Sequence, residues 1–74
     1  MSNSTRDPRR DPIPGDEIQH CVTGIRREVV PALNAMSGMV LYRRVMYSLI
    51  RRCTLATWRQ WARGAKVLKR GDEP

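Results

Sequence analysis

The chain has 74 residues and a mass of 8.5 kDa, which leaves room for one small domain. A multidomain enzyme or a large buried active site is thereby excluded. Fourteen Lys and Arg, twelve of them Arg, oppose seven Asp and Glu to give +7. Hydrophobic residues make up 41% of the chain, enough to argue against full disorder.

The charge is unevenly placed. It sums to −1 over residues 1–17, +10 over 18–70 and −2 over 71–74. A field of that kind suits nucleic acid, an acidic protein or an anionic membrane surface. The most hydrophobic window, Met39–Ile50, is broken by Arg43 and Arg44. It is also shorter than the ~18 residues of a membrane span, so no membrane role is expected. Cys21 and Cys53 lie 32 positions apart with no CxxC spacing, and no secretory pattern opens the chain. The expectation is a cytoplasmic protein with reduced thiols.

Residues 1–14 hold three of the five prolines and few apolar side chains. Proline removes a backbone donor and biases its predecessor away from helix, which predicts a flexible Pro/Arg arm over 1–14. Gly15-Asp16 is expected to turn the chain into a single domain over 15–68, followed by a disordered tail over 69–74.

Two readings compete for residues 17–53. In the strand reading, Glu17–Val22 and Ile25–Leu33 flank a turn at Thr23-Gly24. Met39–Met46 and Tyr47–Cys53 then follow a turn at Asn34–Gly38. Val40 and Tyr42 keep period two, while Pro31 marks an edge or a bulge. In the helical reading, Ile18, Cys21, Val22, Ile25 and Val29 recur at helical spacing, and Asp16 with Gln19 resembles a capping box. Gly24 would then fall mid-helix at a cost of ~1 kcal/mol. Thr54 is expected to cap a helix from Leu55 to about Arg63, with Gly64 ending it. Leu55, Trp58 and Ala62 share one face of that helix, with Trp61 beside them.

The order Pro14-Gly15-Asp16, Gly24-x-Arg26-Arg27-x-Val29, Val40-x-Tyr42, Cys53-x4-Trp58-x2-Trp61 and Ala65-x-Val67, after an RDPR arm, resembles a group of small uncharacterised bacteriophage and prophage proteins. The resemblance spans most of the chain and implies a small antiparallel, SH3-like β-sheet followed by one C-terminal α-helix. It brings no activity and no catalytic residues. The Ala-, Asn- and Pro-rich stretch 31–37 departs from it. A weaker likeness, covering Thr54–Leu68, is to the DNA-binding helix of phage excisionase and AlpA-type proteins. The α+β reading is therefore preferred, with an all-α helical bundle as the alternative.

The Arg doublets carry the functional reading. Neighbours on a strand point to opposite faces, so each doublet gives one Arg to each side. Three adjacent strands then gather one Arg each from Arg26, Arg27, Arg43, Arg44, Arg51 and Arg52, joined by Arg59 and Arg63 from the helix. Guanidinium groups so gathered suit phosphates or carboxylates. Solubility and stems lying over a thin core are the plain alternative. Trp58 is expected in the core, while Trp61, off the main stripe, is divided between a core place and the role of a contact residue. Tyr42 and Tyr47 are read as half-buried strand residues, and Met36, Met39 and Met46 as core fillers.

His20, Cys21 and Cys53 lack the number and spacing that zinc needs, so no metal is expected. One His beside Cys21 is thin support for nucleophilic catalysis, and no other catalytic motif occurs. No cofactor is expected. The expectation is a non-catalytic phage or prophage accessory protein that binds DNA through the Arg patch. Its alternative is a phage-encoded inhibitor that blocks an acidic host protein such as a defence complex. A core this small also benefits from a homodimer through Trp61 or an edge strand.

Overall fold

Gly24 decides between strand and helix. In the computed structural model, which describes residues 6–31 and 38–72, it has φ +73°. Its amide donates to the His20 carbonyl at 3.0 Å, and His20 N donates to the Ile25 carbonyl at 2.8 Å. The His20 Nδ1 accepts from the Val22 and Thr23 amides, both at 3.2 Å. A left-handed glycine and a side chain capping the loop amides reverse the chain here. The residues that continued the helical spacing, Cys21 and Val22, are exposed. The all-α alternative is thereby overturned.

The elements run β1 (Glu17–Gln19), β2 (Arg26–Val29), β3 (Met39–Arg44), β4 (Ile50–Thr54), α1 (Leu55–Trp61) and β5 (Lys66–Lys69). They form an α+β fold whose antiparallel sheet has the order β4-β3-β2-β1-β5. The sheet is compatible with the SH3-like expectation, but the helix is followed by a fifth strand rather than ending the chain. The four expected strands are all shorter than expected. Tyr47 falls in the β3–β4 connection rather than on a strand, and part of the proposed Asn34–Gly38 turn, with Met36, lies outside the described residues.

The register explains the core. Ile18 stands opposite Arg27 and Val67, Val29 opposite Tyr42, and Val40 opposite Cys53, so these side chains share one face. Against that face lie Trp58 and Ala62 of α1, and Ala65 just after it. The Thr54 Oγ1 accepts from the Thr57 amide at 3.1 Å and caps the helix as expected. The helix stops at Trp61, two residues before the expected Arg63, and Gly64 adopts φ +74°.

The flexible-arm expectation does not hold for residues 6–14. Asp7 accepts from the Arg10 and Asp11 amides in a tight turn that buries Pro8 completely. The Pro8 carbonyl accepts from the Trp58 indole Nε1 at 3.1 Å. Arg9 reaches the Ala65 carbonyl, and Arg59 donates to the Arg10 carbonyl at 2.8 Å. Local composition favours extension, but Trp58 supplies both an apolar seat and a hydrogen-bond donor for this segment. The disordered-tail expectation fails in the same way for residues 69–72. Lys69 belongs to β5, Arg70 donates to the Arg6 carbonyl, and Gly71 N donates to Asp16. A Cβ on Gly71 would overlap the Pro14 carbonyl oxygen, so the two terminal segments cross in near contact.

Ion pairing at these ends sets an acid response. The Arg9 guanidinium holds the Asp7 carboxyl below its ordinary value, and Arg6 does the same for Asp72. Groups depressed on folding contribute stability above the usual carboxylate range and lose it as pH falls through their folded values. The terminal segments are expected to loosen below about pH 4, ahead of the sheet. Hydrogen exchange of the Arg10, Asp11 and Gly71 amides at pH 7 and pH 3 measures this. Equal protection at both would contradict it.

Candidate functional site

The three doublets lie on adjacent strands, and pleating divides them. Arg27 stands opposite Arg44, and Tyr42 opposite Arg51. Arg27, Arg44 and Arg51 therefore share the core side of the sheet, where it runs past the helix. Arg26, Arg43 and Arg52 take the other side. There Arg26 approaches Glu17 at 3.7 Å and Arg43 pairs with Glu28 at 2.9 Å, so two of the three outer guanidiniums face carboxylates. Among the described residues no carboxylate pairs with Arg27, Arg44 or Arg51.

The inner trio is interleaved with aromatic rings. The Arg27 guanidinium lies 4.4 Å from the centre of Tyr42 and 4.0 Å from that of Trp61. Trp61 in turn leans on Trp58 and on His20, with ring centres 5.6 and 5.3 Å away. Trp61 is thus half-buried at the rim of the core rather than presented freely. Burial lowers the Arg27 pKa; Tyr42 and Cys53 oppose that shift, while Arg51 reinforces it. The guanidinium remains charged and is held by π faces instead of by an acid.

Arg44 sits 4.8 Å from the Tyr47 ring centre. The connection that carries Tyr47 is closed by Tyr47 N donating to the Arg44 carbonyl at 2.9 Å, with Met46 at φ +80°. A non-glycine residue there costs about 1–2 kcal/mol. Met46 is 86% exposed and fills no core gap, contrary to expectation. Tyr47, Leu49 and Ile50 are likewise more than half exposed. Ile25, Arg27, Tyr42, Arg44, Tyr47, Leu49 and Arg51 together line an open cleft of about 330 Å³.

Arg59 and Arg63 do not join this group. Arg59 is engaged with Arg10 and Asp11, and Arg63 lines a separate shallow cleft with Arg9, Arg10 and Asp7. The reason is the docked N-terminal segment, which draws that side of the helix to itself. Tyr47 and Leu49 were missed as contact residues, because their exposure comes from the β3–β4 turn and not from a periodic pattern. Tyr42, read only as a half-buried strand residue, could have been placed beside Arg44 from the period-two run Val40, Tyr42, Arg44.

The remaining reactive groups do not assemble. Cys21 is exposed and Cys53 half-buried, and burial pushes the Cys53 thiol up, away from nucleophilic character. Among the described residues no three His, Cys, Asp or Glu side chains are placed to hold a metal ion. No helix among them is long and apolar enough to cross a membrane. Neither a protein-family model, a curated protein nor a solved structure matches the chain.

Proposed function

We propose that this protein is a non-catalytic accessory protein of a phage or prophage, binding nucleic acid in the host cytoplasm through the inner face of its sheet. One observation carries the reading. Arg27, Arg44 and Arg51, from three neighbouring strands, border a single cleft with aromatic rings and, among the described residues, no neutralising carboxylate. Charges left unpaired on a rigid sheet are pre-ordered for phosphates, and the rings keep the long side chains in place. Phage origin rests on the family resemblance described above.

Binding of labelled DNA at increasing salt tests this. Contacts to about three phosphates give a log–log salt slope of roughly −2 to −3. Arg44→Ala and Arg51→Ala are each expected to lower that slope by about one. Arg52→Ala, on the opposite face, is expected to change it less. A slope near zero, or equal effects from Arg51 and Arg52, would refute the assignment. A complex with one acidic host protein that survives nuclease treatment would transfer the same cleft to the inhibitor reading.

A further inference from the structure

The cleft has an asymmetry that phosphate binding alone does not use. The Tyr42 ring is buried and already covered by Arg27. The Tyr47 ring is 54% exposed, Leu49 is 63% exposed, and both stand on the cleft wall beside Arg44 and Arg51. The lining thus combines open aromatic and aliphatic surface, from Tyr47 and Leu49, with the cationic Arg44 and Arg51.

We infer that the cleft takes an unpaired nucleotide of single-stranded nucleic acid, its base against Tyr47 and Leu49 and its flanking phosphates at Arg44 and Arg51. This rests on the nucleic-acid reading above and narrows it to a substrate class. Three points favour the single strand. Bases in a duplex are stacked on each other, so only an unpaired base offers a face to an isolated ring. The site is concave, whereas a duplex groove is entered by a projecting helix or ribbon. At about 330 Å³ the cleft lies at the small end of ligand pockets and admits a mononucleotide unit, not a helix. Unlike Tyr42, Tyr47 stays 54% exposed although the Arg44 guanidinium lies 4.8 Å from its ring centre, so a base against its open surface has a cation beside it for a phosphate.

The test uses the full chain with a labelled oligothymidylate and a labelled duplex of equal length, read by fluorescence anisotropy at low salt. Tighter binding of the single strand is expected. Tyr47→Ala is expected to weaken it roughly five- to hundred-fold, the range found when one stacking ring is lost. Tyr47→Phe should restore most of the affinity, since the ring and not the hydroxyl is used. Tyr47 is exposed, so thermal melts of both variants should match wild type. Duplex binding equal to or tighter than single-strand binding, or no effect of Tyr47→Ala on the single strand, overturns this inference while leaving the phosphate reading standing. Failure to bind either probe overturns both.

Discussion

Replacement of Trp58 by alanine is expected to remove a large share of the domain's stability and to lower its melting temperature steeply. Trp58 is fully buried, and its ring packs at 5.7 Å from Tyr42 and 5.6 Å from Trp61. Removing a buried aromatic side chain costs about 3–5 kcal/mol. For a chain of this length the total stability is on the order of 4–11 kcal/mol, so the loss takes a large share of it. The expected loss has a second part, because the indole Nε1 also holds the Pro8 carbonyl. The N-terminal segment would come away with the ring. Trp58→Phe separates the two contributions, since it keeps most apolar contact and leaves Pro8 without its donor, for a loss of about 1–3 kcal/mol. Trp61→Ala should cost less than Trp58→Ala, as Trp61 is half-buried and borders the core. Urea unfolding followed by circular dichroism ranks the three. A melting temperature for Trp58→Ala equal to that of wild type would overturn the account.

Trp58 is a long-range anchor, and such contacts leave a weaker mark on the sequence than local ones do. The Thr54 cap and the Gly24 reversal are satisfied by neighbours within a few residues, and the Val40–Tyr42 alternation is itself a local pattern although its partners are distant, so all three could be read directly. The splitting of the Arg doublets across the sheet needs only strand pleating, and it could be read as soon as the strands were chosen. Residues 6–14 could not. Their prolines describe local stiffness, whereas their position depends on Asp16, Ala65 and Trp58, up to 56 residues away. β5 was hidden for a related reason. As an edge strand it has one half-buried side chain, Val67, between exposed neighbours, too little burial to leave a periodic mark. The cleft inherits both effects: its arginines follow the strand pattern, while Tyr47 owes its place to a turn with Met46 at positive φ.

Asp16 is the other residue whose loss should be severe, and its charge works in the opposite sense to the arginine cluster. The side chain is fully buried. Its Oδ2 accepts from Arg6 Nη1 at 2.7 Å and from Ile13 N at 2.8 Å. Its Oδ1 accepts from Arg6 Nη2 at 2.9 Å and from Gly71 N at 2.7 Å. One carboxylate thus ties the N-terminal segment, the turn into β1 and the chain beyond β5. Four donors converge on two oxygens, which is enough to offset the cost of burying the charge. Asp16→Ala leaves the Ile13 and Gly71 amides without their acceptor, at about 1–3 kcal/mol each, while Arg6 keeps the Asp11 carbonyl and Asp72. Asp16→Asn keeps the volume but turns an amide NH₂ toward existing donors, so it should also destabilise rather than rescue. Arg6→Ala leaves the carboxylate its two amides and should cost less. The Arg6/Asp16 double replacement should fall short of the sum of the single losses, because the two side chains share one interaction. Additive losses would show that the bidentate pair contributes nothing of its own. An Asp16→Ala protein as stable as wild type would show that the terminal segments hold without the buried carboxylate.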